Sequence, residues 1–346
     1  MATHEGEAMT DKKPCKSLGW SLAGTLTALA VAKGGWILYS KRYIDHHAKL
    51  NIILNAEQHT YHSPGAGAIN FFVNGAGDQT PLLLIHGLHM YAGLYDVLPI
   101  FEAFRTSRPI YAIDLPGFGR SEKTDRPYRA SMYEEAILDF IKNQIGRPCH
   151  VLTLGNSSAY TAMASVNAPE WITSLIMINP SGFEMPHPVS MRTMDYRERA
   201  RDLLLSYLKV PLWSLPIYDL FASRPRIARY YHKHFAYSPP GDLIDLAYTS
   251  SHQAGAHFAP MVLFSGKLTV PHLREKYYEK LKIPVYVIYD NAADNSFDML
   301  PQIVHEKTNW KAYRSRNTKG MPHFERPGEL FRQFDLFWKK HDEIKS

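Results

Sequence analysis

The residues whose types and spacing could do chemistry are Gly155-Asn156-Ser157-Ser158-Ala159. They follow Val151-Leu152-Thr153-Leu154, an apolar run that reads as a buried strand, and they precede a helical stretch. A serine nucleophile must stand on a sharp strand-to-helix turn with its oxygen exposed. Strand and helix then crowd each other two residues to either side, and Gly155 and Ala159 are small. The five residues therefore form a G-x-S-x-A nucleophile elbow with Ser157 at the apex. Small residues around a serine also end many strands that do no chemistry, so the partners decide.

The elements that would position such a turn recur along the chain. Residues 81–87 (Pro-Leu-Leu-Leu-Ile-His-Gly) and 109–115 (Pro-Ile-Tyr-Ala-Ile-Asp-Leu) read as short strands buried on both faces. Residues 175–179 and 283–289 read likewise, and 310–314 reads as a final strand. Helical stretches separate them, near 95–104, 133–145 and 161–166, and an amphipathic helix closes the chain at 328–340. Alternation at this spacing predicts an α/β fold, a doubly wound, mostly parallel sheet. The pattern breaks between about 186 and 275, where the sequence is helical, aromatic and punctuated by proline. We read 46–185 and 276–346 as the core and 186–275 as an inserted helical lid, with Trp213, Phe221 and its tyrosines facing lipid or an apolar substrate.

Residues 1–45 are expected to form a polar tail and an apolar segment. The apolar run from Leu18 to Ala32 resumes after Lys33, long enough to suggest a single membrane-anchoring helix of undetermined orientation. Ala30-Val31-Ala32 also resembles a signal-cleavage site, which would make the protein secreted or periplasmic. The 346 residues carry a net charge of +6 with no block of lysine or arginine, which argues against nucleic acid as a partner. Two cysteines, Cys15 and Cys149, exclude a disulfide framework. No metal cluster or phosphate loop is evident, so no cofactor is expected.

Four stretches together resemble the α/β-hydrolase family. They are Leu-Leu-Leu-Ile-His-Gly at 82–87, Ala-Ile-Asp-Leu-Pro-Gly-Phe-Gly-Arg-Ser at 112–121, the elbow, and Pro-His-Phe-Glu-Arg-Pro at 322–327. Bacterial hydrolases of unassigned substrate also share the His-Gln-x-Gly-Ala segment at 252–256. The resemblance implies Ser157 as nucleophile, an acid in the loop after the seventh strand and a histidine after the eighth. Asp294 and His323 fall there, with Asp290 and Asp298 as other candidates for the acid. It also implies an oxyanion hole from the backbone N–H groups of Leu88 and Ser158, with His86 and Gly87 ordering that loop. Many relatives read Gly-His-x-Pro-His-x-Glu-x-Pro, with the first histidine catalytic. Aligned on Pro322, that position is Gly320, so the role passes to His323 or the triad is broken.

A serine at the elbow argues against the dehalogenases and epoxide hydrolases of this family, which use aspartate. The expected function is hydrolysis of a small, apolar or lipid-like carboxylic ester through an acyl-enzyme. An acyltransferase or C–C bond hydrolase would use the same triad. A non-catalytic binding protein of the same fold is the reading that Gly320 motivates.

Overall fold

The computed structural model describes residues 17–50, 54, 56–75, 77–185, 191–291 and 295–342. The chain divides into two compact units, Met1–Ile44 and Asp45–Ser346. In the first, Ser17–Tyr43 forms one helix, α1. Among the described residues no helix is long and apolar enough to cross a membrane. The expected span is therefore not supported. The 27 residues of α1 have the length, but Lys33, Lys41, Arg42 and interspersed glycine, serine and threonine dilute their hydropathy.

The second unit is built on an eight-stranded sheet. Its strands are β1 Glu57–Ser63, β2 Gly67–Asn74, β3 Leu82–Ile85, β4 Ile110–Ile113, β5 Cys149–Leu154, β6 Ile172–Ile178, β7 Val285–Tyr289 and β8 Trp310–Arg314. They lie in the order β1-β2-β4-β3-β5-β6-β7-β8. Pairing is antiparallel from β1 to β2 and from β2 to β4, and parallel beyond. Every residue of β3, β5 and β6 is buried. Alternate side chains go to opposite faces, as the two-residue period of a strand requires. Leu83, Val151 and Val287 join one core layer, and Leu84, Leu152 and Ile288 the other.

Helices cover both layers. On one side α2 (Leu98–Phe104) and the closing helix Pro327–Asp342 insert Phe101, Phe104, Phe334 and Trp338. On the other, α3 (Ala130–Phe140) and α4 (Ser157–Asn167) insert Tyr133, Phe140 and Tyr160. Burial of these large aromatic surfaces is the main force pressing the helices on the sheet. Between β6 and β7 come α5 (Met191–Leu208), α6 (Ser214–Phe221), α7 (Arg224–His234), α8 (Gly241–Ser251) and α9 (Phe258–Phe264). Tyr218, Ile227, Tyr231 and Phe235 pack them against Tyr91, Tyr95 and Met321 of the sheet-end loops.

Candidate functional site at the carboxyl ends of the strands

The turn after β5 does not place Ser157 at its apex. β5 stays in register with β6 through Leu154, opposite Ile178, and the Gly155 N–H still donates to the Ile178 carbonyl at 2.8 Å. The left-handed residue of the turn is Gly155, with φ +53, and Asn156 already has helical dihedrals. An elbow carries its reactive side chain on the strained residue between strand and helix. That residue is Gly155, which has no side chain. The pattern of small residues two positions to either side is met by Thr153 and Ser157, two residues earlier than the sequence pattern suggests.

Ser157 lies instead in the first turn of α4, 0% exposed. Its hydroxyl faces two backbone carbonyls, of His86 and, at 2.9 Å, of Leu154. The Ser158 N–H donates to the Gly155 carbonyl at 3.2 Å, and its hydroxyl pairs with that of Thr153 at 2.8 Å. The N–H of Ser158, the oxyanion donor expected from sequence, is thus engaged within the turn, and the residue that follows the left-handed position is Asn156.

His323 is buried on a short turn of helix, Pro322–Glu325, after β8. It is not hydrogen-bonded to Ser157. Its Nε2–H donates to the Asp96 carbonyl at 2.7 Å, while Nδ1 has no partner among the described residues. A carbonyl accepts only, so the proton is on Nε2 and Nδ1 carries the lone pair. Burial pushes the imidazole pKa down to about 4, against the opposing pull of Asp96. Asp294 lies outside the described residues. Asp290 accepts the Gly320 N–H at 2.8 Å and donates its own N–H to Asn179 Oδ1 at 3.0 Å. Asp298 accepts from the Ser296 hydroxyl on an exposed turn.

Gly320 has φ +129 and packs beneath the helical insertion. A Cβ there would lie 3.0 Å from Cδ2 of His234, the last residue of α7. Asn179, itself left-handed at φ 47, ties the neighbouring loops together. Its Nδ2 donates to the Gly320 carbonyl at 3.0 Å, and its carbonyl accepts from Asn295 Nδ2 at 2.7 Å.

The loop after β3 is the most heavily bonded part of the site. His86 donates from Nδ1 to the Gly87 carbonyl at 2.6 Å and accepts the Leu115 N–H at Nε2, 2.9 Å away. Burial lowers its pKa, and both ring nitrogens are occupied by loop backbone. Three residues on, His89 Nε2 meets Asp96 Oδ2 at 2.8 Å, and its ring stacks on Tyr230 of α7 at 4.7 Å. The second Asp96 oxygen accepts from Tyr231 at 3.3 Å.

These groups surround a cavity of about 160 Å³, bounded by Gly87, Leu88 and Asp96 on one side and Gly155, His234 and His323 on the other. Ser157 is not in its wall. Trp213 packs at a tilt on Tyr207 and Phe221 on Phe264, whereas Tyr230 and His234 of the helical insertion line this cavity. A larger cavity of about 500 Å³, walled by Tyr160, Leu268 and Arg274, shares Asn156 with it but reaches neither Gly155 nor His323. The smaller one is the cavity onto which both the turn after β5 and the loop after β8 open. His89, Asp96 and His234 are additions to the residues expected from sequence. The one sequence signal for them is the recurrence of histidine three residues after His86.

Strand order, the turn after β5 and the helical insertion define an α/β-hydrolase. Residues 82–333 match the Alpha/beta hydrolase family, and the chain belongs to it. Among curated proteins it is similar to 1-acylglycerol-3-phosphate O-acyltransferase ABHD5 of Rattus norvegicus, 34% identical over 139 residues, 36% of this chain and 38% of the relative. A (Lyso)-N-acylphosphatidylethanolamine lipase of Bos taurus is 28% identical over 112 residues, 31% of this chain and 32% of that protein. The aligned segments thus span less than half the length of these relatives. Two solved structures share the fold: a bacterial membrane phospholipase A, at TM-score 0.62 and 19% identity over 94% of this chain and 99% of that one. The second is a putative aryl esterase from Burkholderia cenocepacia, at TM-score 0.63 and 14% identity over 82% and 99%.

Proposed function

We propose that this protein binds a small, mostly apolar molecule in the cavity at the end of the sheet and forms no acyl-enzyme there. The observation that carries this reading is Gly155 at the apex of the elbow. Acyl transfer needs a nucleophile at that point, and glycine offers none. Ser157 could take the role only by turning its hydroxyl away from the His86 and Leu154 carbonyls and leaving a fully buried position. Apolar walls from Leu88, Leu154, Ile178 and Met321 suit an apolar ligand. The names of the curated relatives, an acyltransferase and a lipase, fit a ligand related to acyl lipids.

The test treats the full chain and Ser157→Ala with a fluorophosphonate probe and with p-nitrophenyl butyrate. We expect no labelled serine and the same background hydrolysis from both proteins. Labelling of Ser157 that disappears in Ser157→Ala, together with turnover, would overturn the proposal in favour of a serine esterase.

A further inference from the structure

Residues 45–50 open the second unit with no helix or strand of their own, and their burial alternates. Asp45, His47 and Lys49 are exposed, whereas His46, Ala48 and Leu50 are partly buried, the two-residue period of an extended segment. The inward residues meet lid and core in turn. His46 Nε2 lies 3.2 and 3.1 Å from the two carboxylate oxygens of Asp219, a buried residue of α6. The Ala48 carbonyl accepts from Gln253 Nε2, just past α8, at 2.6 Å. The Leu50 carbonyl accepts from Arg120 of the core. Leu50 also shares the wall of a small cavity with Phe72 and Tyr95 of the core and Leu246 of α8.

The contact at Asp219 is the strong one, because its acceptor is charged. A carboxylate is tolerated in the interior where donors reach it. Two imidazoles stand beside this one. His252 donates from Nδ1 to the Tyr248 carbonyl at 2.8 Å, so its other nitrogen, 3.8 Å from Asp219, carries the lone pair of a neutral ring. Burial favours that neutral form. Of the two rings, His46 is therefore the donor. The His-Gln-x-Gly-Ala segment at 252–256 thereby gains a use. His252 flanks the carboxylate, Gln253 holds Ala48, and Gly255 runs against the Lys123 carbonyl, where a Cβ would collide.

We infer that residues 45–50 are a strap that latches the lid, holding α6 and the end of α8 to the core through His46 and Gln253. The latch bears on the cavity through α6. There the Tyr218 hydroxyl donates to the Met90 carbonyl at 3.0 Å and the Tyr91 hydroxyl to the Phe221 carbonyl at 2.8 Å, in the loop that carries Leu88 and His89. The far end of α7 is fastened separately. Glu325 accepts the Ala236 N–H at 2.6 Å and the Tyr237 N–H at 3.2 Å. The lid therefore opens from the strap side, with residues 235–237 as its hinge.

Hydrogen exchange of the full chain, read by mass spectrometry, tests the strap with His46→Ala. Exchange in α6 and α8 is expected to rise at least about tenfold, the worth of one hydrogen bond to a charged group, with β5, β6 and residues 235–237 unchanged. His46→Gln returns an N–H donor and should recover part of the protection. Unchanged exchange in His46→Ala would overturn the strap, and so would a rise shared equally by β5 and β6, which is general destabilisation. A His46→Gln protein as loose as His46→Ala would overturn it as well, since the effect would then belong to ring packing. These readouts stand apart from what the cavity binds.

Discussion

The loop after β3 and the turn after β5 face the same cavity with opposite equipment. The first is crowded with polar contacts: His89 on Asp96, Tyr231 on Asp96, and the Asp96 carbonyl on His323. The second carries at its apex a glycine, around whose position an added Cβ would meet nothing within 4 Å. The framework of a hydrolase site and its reactive atom are thus separable. Positive φ, crowded neighbours and strand register belong to the scaffold, whereas the nucleophile is one side chain on it.

The sharpest way to break the contrast is to put that side chain back. Gly155→Ser places a hydroxyl at the apex, in open space, at a backbone strain of roughly 1–3 kcal/mol. With an acceptor histidine in the same cavity, fluorophosphonate labelling at residue 155 is expected to rise at least about 100-fold over the native chain. No labelling in a folded Gly155→Ser protein would mean that a hydroxyl at residue 155 finds no base in this cavity.

The polar loop is probed by Asp96→Ala, which strands His89 Nε2 and the Tyr231 hydroxyl. Two buried donors left without partners should cost about 4 kcal/mol in urea unfolding. A loss under about 1 kcal/mol would mean that the loop is not held through Asp96.

A smaller effect follows from pH. Burial lowers His323 and His257 from 6.5 to about 4. Between those values the unfolded chain takes up protons that the folded imidazoles refuse. Stability is therefore full above pH 6.5, falls through the window and levels off below about 4. His323 accounts for about 3 kcal/mol of that fall. His323→Gln should flatten the slope by a similar amount in thermal unfolding followed across the window, and an unchanged slope would contradict burial of a neutral ring.

The fold was legible from residue type because β3, β5 and β6 are short, mostly apolar runs that alternate with helical stretches, the pattern of a parallel sheet covered on both faces. The elbow was legible as a turn but not in its frame. A scan for serine between small residues settles on Ser157. The geometry depends instead on where β5 stops pairing with β6, and that is a property of two strands. The sign within the sequence was Thr153 and Ser157 flanking Gly155 at equal distance. His234 could not have been foreseen, since it reaches the site only through the packing of α7, more than 80 residues from Gly320 along the chain.

That packing makes position 320 and the end of α7 one steric unit. A histidine introduced at position 320 would need a left-handed backbone and would press its Cβ on His234. Any side chain larger than glycine at 320 therefore has to be bargained for at residue 234: α7 would have to shift, or His234 be replaced by a smaller residue, before it fits.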